Sequence, residues 1–111
     1  MANGTGKFVG QYPELLGRRF AWAMDWTGPD PYDSANKDVV TLPGFQYYLD
    51  SISGMMLTES GNYYVVPQCK STGNRATFVL VWFTAGGTTE VANGVDLSGE
   101  VVRLSGLGGT Y

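Results

Sequence analysis

The chain has 111 residues, which suits one compact domain and leaves no room for a catalytic domain joined to a separate binding domain. Hydrophobic residues make up 43% of it and aromatic residues 14%, enough to form a core without disulfides. The formal net charge is −3 with seven basic residues, so nucleic acid is not expected as a partner.

The first elements along the chain are predicted from short signals. Residues 7–12 carry a weak strand pattern. Residues 13–19, "PELLGRR", predict one helical turn that begins at Pro13 and ends at Gly17.

Residues 19–26 predict a half-buried strand, because bulky and small or charged residues alternate along them. The bulky side of this strand consists of Phe20, Trp22, Met24 and Trp26. The segment 27–31, "TGPDP", should end the strand, because proline cannot donate to a strand ladder.

Further strands are predicted at 38–42, within 45–57 with a turn at Gly54, and at 62–70, where Pro67 indicates an edge or a bulge. Residues 74–84, "NRATFVLVWFT", are apolar on both faces and predict a central strand that ends at Gly86–Gly87. Glycines typical of turns recur along the chain at nearly regular spacing. We therefore expect an all-β, single-domain antiparallel β-sandwich or barrel over residues 1–111.

The end of the chain is predicted as a strand at 100–105 followed by a loose tail at 106–111, because its glycines lose much entropy on ordering. Trp22 and Trp82 are expected to fill the core between two sheets.

Catalytic and metal sites are weakly supported. The acidic segment with Asp25, Asp30, Asp33 and Asp38 matches no EF-hand, and solvated turns are the favoured interpretation over a calcium site. A glycosidase pair such as Asp25 with Glu90 would need proximity that no pattern indicates. Serine nucleophiles lack a motif that supplies a base. We therefore predict no catalytic residue, no cofactor and no metal.

The single cysteine and the absence of histidine restrict the chemistry further. Cys69 cannot form an intramolecular disulfide, and a packed thiol is favoured over a reactive one. Neither a signal peptide nor a bilayer-spanning run is evident, so we expect synthesis in a cytosol and no membrane association.

Exposed aromatic residues favour binding. Adjacent tyrosines on a strand point to opposite faces, so one member of Tyr47–Tyr48 and of Tyr63–Tyr64 should lie outside the core, as at protein interfaces or sugar-binding surfaces. The segment 27–38 is predicted either to project toward a partner or to form a solvated connection. The candidate partner-binding residues are Trp26, Pro29, Asp30, Tyr32, Asp33 and Tyr48.

Five phrases of the sequence, "RRFAW", "DWTGP", "DVV", "SGNYYV" and "DLSGEVVRL", resemble short virion proteins of tailed phages. The resemblance implies a decoration or cement protein on the outer surface of the capsid, made in the host cytoplasm and bound to the major capsid protein. From this role, rather than from the sequence, we also expect a homo-oligomer, for which a trimer on local threefold axes would match the symmetry of a capsid. The alternative is a carbohydrate-binding or host-recognition module on a tail or fibre, and a small enzyme ranks last.

Overall fold

The structure, a computed structural model, describes residues 3–10, 14–16, 19–42, 48–58, 61–69, 77–86 and 89–109. The described residues contain eight strands and no helix. The strands are β1 (Thr5–Phe8), β2 (Glu14–Leu16), β3 (Arg19–Thr27), β4 (Asp38–Thr41), β5 (Tyr48–Met56), β6 (Tyr63–Cys69), β7 (Thr77–Thr84) and β8 (Val101–Gly109).

The strands form two antiparallel sheets. Sheet A has the order β1-β3-β8-β5, and β2 pairs with the same edge of β3 as β1 does. Sheet B has the order β4-β7-β6. The all-β prediction is therefore confirmed in its sandwich form, because the two sheets do not join into a closed barrel.

The core lies between the sheets and follows from the alternation of each strand. On the sheet A side, the inward residues of β3 are Trp22, Met24 and Trp26. On the sheet B side, the inward residues of β7 are Phe78, Leu80 and Trp82. The rings of Trp22 and Phe78 meet with their centroids 5.8 Å apart. The prediction that Trp22 and Trp82 fill the core is confirmed.

Sheet B agrees with the sequence signals. β7 is its central strand, as the two apolar faces predict. β6 is an edge strand, which is the position in a sheet where proline is tolerated, as Pro67 predicts.

Three local predictions are wrong. Residues 14–16 form a strand rather than a helical turn, because the open edge of β3 pairs with them. Gly54 lies inside β5 opposite Leu104, not in a turn. Residues 106–109 of the tail predicted as loose belong to β8, because β3 and β5 pair with it on both sides, and residues 110–111 lie outside the described residues.

Gly106 allows a close contact within the core side of β8. A Cβ atom there would lie 2.8 Å from the ring of Trp22 and 2.7 Å from the carbonyl oxygen of Ser51. The missing side chain therefore lets the indole of Trp22 pack directly on the strand, and this packing orders the glycine-rich end of the chain.

Candidate functional site

The segment 28–37 folds back onto the molecule instead of projecting from it. It runs beside the segment 91–100 and is held by backbone hydrogen bonds, which include Tyr32 N to Val95 O and Leu97 N to Pro29 O, both 2.8 Å. The prediction of a projecting loop is wrong, because these bonds close the segment against its neighbour.

The predicted partner-binding residues are consequently separated by burial. Trp26, Pro29, Tyr32 and Asp33 are buried, and Tyr32 is completely inaccessible. Their side chains therefore cannot form a docking surface in this fold. Asp30 is exposed. The side chain of Tyr48 lies outside what the structure describes, so a binding role for Asp30 or Tyr48 stays a prediction.

Asp38 is the least expected residue of the interior. Its side chain is 1% exposed, and its carboxylate accepts hydrogen bonds from the indole Nε1 of Trp26 at 2.7 Å and of Trp82 at 3.0 Å. The amide of Gly4 donates to the other carboxylate oxygen at 2.9 Å. Burial raises the pKa of Asp38, and these three donors oppose the rise without cancelling it. The indole Nε1 of Trp22, by contrast, has no hydrogen-bond partner among the described residues.

The sequence places Asp38 both at the end of the acidic segment, interpreted as solvated turns, and at the start of the strand predicted over 38–42. The strand alternation would have located it correctly, because Asp38, Val40 and Leu42 share a phase and all three are buried. The aspartates and prolines that precede Asp38 favoured solvated turns instead.

A second polar cluster lies where the two paired segments meet. The Tyr32 hydroxyl donates to Glu90 Oε2 at 2.7 Å and accepts from the Trp82 amide at 3.3 Å. Lys37 Nζ forms a 2.6 Å ion pair with the same Glu90 oxygen. Burial and the bond to Glu90 raise the pKa of Tyr32. Burial opposes ionisation of Glu90, yet the bonds from Lys37 and Tyr32 lower its pKa overall. The cluster therefore ties the 28–37 segment down.

Asp33 has a purely local role. Its Oδ1 accepts from the amides of Ala35 and Asn36, and its Oδ2 accepts from the Asn36 side chain at 2.7 Å. The bond from the Asn36 side chain, together with the two amide bonds, lowers the pKa of Asp33. This geometry is that of a carboxylate capping a tight turn.

One accessible regular surface is the outward face of sheet A, which we call the outer face. β3, β8 and β5 contribute its side chains in register. Its residues are Ala21, Ala23, Asp25, Ser51, Ser53, Met55, Arg103, Ser105 and Leu107. Met55 is the most exposed large hydrophobic residue that the structure describes, at 59%.

An open groove of about 350 Å³ lies on this face. It is lined by Ala21, Trp22, Ser51, Ile52, Ser53, Ser105, Gly106 and Leu107. The hydroxyls of Ser53 and Ser105 lie 3.1 Å apart across two neighbouring strands. Because the outward side chains are small, the groove reaches toward the backbone of the sheet.

One ion pair lies beside the groove. Arg103 donates from Nε to Asp25 Oδ1 at 2.7 Å and from Nη2 to Asp25 Oδ2 at 3.0 Å. These bonds lower the pKa of Asp25 and raise that of Arg103. Both groups are partly exposed, so the pair mainly fixes two charges at defined positions on the face.

The acidic residues considered for chemistry do not converge on one site. Asp25 pairs with Arg103 on the outer face, whereas Glu90 pairs with Lys37 and Tyr32. Within the described residues, no three acidic or cysteine side chains are grouped as a metal site would require. The thiol of Cys69 lies outside the described side chains. The part of the chain that the structure describes includes no helix able to cross a membrane.

Comparison of the chain with family models, with curated proteins and with solved structures finds no match.

Proposed function

We propose that this protein is a structural binding module that decorates the outer surface of an assembled phage capsid. The observation that carries the proposal is the outer face of sheet A, a regular surface of small side chains with an open groove. A face built on three paired strands keeps its shape on binding, so little entropy is lost when a partner docks. The resemblance of the sequence to tailed-phage virion proteins supplies the identity of the partner, the major capsid protein.

The chemistry of the outer face suits a polypeptide partner. Met55 and Leu107 offer apolar contact area at either end, and the serine hydroxyls can donate to or accept from backbone groups. The groove has room for a large side chain of the capsid protein. Asp25 and Arg103 present opposite charges at fixed positions, which favours one docking orientation.

Decoration requires no reaction. Each copy that binds only the assembled shell stabilises it by about 2.7 kcal/mol when the free protein is at a hundredfold its dissociation constant. An interface of roughly 1,000 to 2,000 Å² in total is enough for such a complex. Copies arranged as homo-oligomers, such as trimers on local threefold axes, would match the symmetry of a capsid.

The alternative, a carbohydrate-binding module of a tail or fibre, has less support. Sugar-binding surfaces stack a ring on an exposed aromatic side chain, and all three tryptophans of this chain are buried. Two observations favour it, namely the serine hydroxyls of the groove and the stacked, partly exposed rings of Tyr64 and Phe83 on sheet B.

The copy number of this chain in purified virions tests the proposal. Quantitative mass spectrometry against the major capsid protein should give hundreds of copies per particle. A handful of copies would favour the tail or fibre alternative, and absence from the particle would overturn both.

A further inference from the structure

The N-terminal strand β1 is held on the molecule as an exposed edge. It pairs with β3 from Thr5, opposite Thr27, to Phe8, opposite Met24. Thr5, Gly6 and Lys7 are exposed, and Phe8 is partly buried against the core. A four-residue edge strand with this little burial separates from a sheet more readily than any interior strand does.

The surface beneath β1 is specific for the strand that covers it. A Cβ atom on Gly4 would lie 2.5 Å from Trp26 Nε1, and one on Gly6 would clash with the Met24 sulfur and lie 2.8 Å from the Trp26 ring. The β3 edge therefore accepts an extended chain with glycine at alternate positions.

Two hydrogen bonds also connect the N-terminal segment to the other sheet. The Gly4 amide donates to the buried Asp38 carboxylate at 2.9 Å, and Asn3 Oδ1 accepts from the Val39 amide at 3.1 Å. The segment 3–8 thus connects sheet A to β4 of sheet B. The sequence "NGTGKF" of this chain therefore contains every group that these contacts need, namely an amide, a side-chain carbonyl and two alternate glycines.

The chain beyond β1 can act as a hinge. Gly10 has a φ of +72°, and a Cβ there would meet no atom within 4 Å. β2 pairs with the other end of the same β3 edge, so β1 is not fixed by a tight hairpin. If residues 3–9 swing out about Gly10, they reach roughly 20 Å from that point.

We propose that β1 exchanges between copies of this protein. Residues 3–8 of one copy then pair with the β3 edge of a neighbour and donate a hydrogen bond to its Asp38 carboxylate. The exchanged form has the same contacts as the monomer, and the remaining penalty is the loss of translational freedom. High local concentration offsets that loss. The inference does not depend on the proposed function, although crowding on a shell would favour it.

Cysteine trapping tests the exchange, in a Cys69→Ser background that removes the native thiol. One variant carries Thr5→Cys and a second carries Thr27→Cys, two positions that face each other across β1 and β3. When the two are mixed at high concentration and oxidised, we expect a disulfide-linked species that contains one of each. A mixture of Thr5→Cys with Gln68→Cys, on the exposed side of β6, is the control for random collision.

The double variant Thr5→Cys, Thr27→Cys at low concentration should close within one chain and shows that the geometry permits the bond. Closure of the double variant without mixed species above the collision control would overturn the exchange. Native mass spectrometry of the unsubstituted protein provides an independent reading. Oligomers that increase with concentration support the proposal, and a monomer at every concentration contradicts it. Neither result changes the copy number in virions.

Discussion

The 28–38 segment and the outer face of sheet A contrast in how their composition relates to their use. The segment contains prolines, aspartates and a tyrosine, and it packs against the rest of the molecule, with Tyr32 and Asp38 buried. The outer face consists largely of alanine and serine, and it is an accessible regular surface with an open groove. The aromatic and acidic residues of the segment therefore stabilise the fold, whereas the mostly small side chains of the outer face form the surface that we propose for docking.

The largest effect that this contrast predicts is at Asp38. Asp38→Asn places an amide NH₂ against at least one of the three N–H groups that now donate to the carboxylate, so one buried donor loses its acceptor. We expect the free energy of unfolding to fall by about 3 kcal/mol, measured by chemical denaturation. Asp30→Asn, at an exposed position of the same segment, is the control and should change it by less than about 0.5 kcal/mol. Equal losses for the two would mean that Asp38 is not a structural anchor.

A smaller loss is expected at the other polar cluster. Tyr32→Phe removes the hydroxyl that bonds to Glu90 and to the Trp82 amide, and should lower the free energy of unfolding by about 1 to 2 kcal/mol. In a double-mutant cycle with Glu90→Ala, which removes the acceptor, the two losses should not add, because both groups share one hydrogen bond. Strict additivity would contradict the contact.

The two aspartates Asp38 and Asp25 should titrate on opposite sides of the ordinary value near 3.9. Burial raises the pKa of Asp38, and the bond from Arg103 lowers that of Asp25. Carboxyl ¹³C shifts followed against pH measure both midpoints directly. An Asp38 midpoint below that of Asp25 would show that the interior assignment is wrong.

These shifts have opposite consequences for stability. The folded state binds the Asp38 proton more tightly than the unfolded state, so the free energy of unfolding decreases as pH rises from about 3.9 through the pKa of folded Asp38. The Asp25 contribution is present above about 3.9 and is lost as pH falls through its lowered folded pKa. Asp38→Asn should abolish the first trend and leave the second.

The fold was largely predictable, because strand alternation is local information. The alternation over residues 19–26 located β3, and the apolar run with Phe78 and Trp82 located the centre of sheet B. Pairing that depends on a distant partner was not predictable. β2 forms because the edge of β3 is open, and the glycine-rich end of β8 is ordered because it lies between two strands.

The candidate site was not predictable for the same reason. The outer face combines small residues of β3, β5 and β8, which lie far apart in the chain, and none of them carries a motif. The site prediction rested on the aromatic and acidic residues of 26–38, yet most of them are buried. The segment 91–100 pairs with the backbone of Tyr32, and Gly4, Trp26 and Trp82 enclose Asp38. No sequence signal places these distant residues beside them.

One matched pair of variants tests the central claim most directly. Ser105→Tyr fills the groove on the outer face, and Gln68→Tyr places the same side chain on an exposed position of β6 in sheet B. Both should leave the free energy of unfolding within about 1 kcal/mol of the wild type, because both positions are on the surface. Binding to purified capsid shells that lack the protein, measured by co-sedimentation, should fall at least tenfold for Ser105→Tyr and stay unchanged for Gln68→Tyr. Full binding by Ser105→Tyr, or an equal loss in both variants, would contradict docking through the outer face.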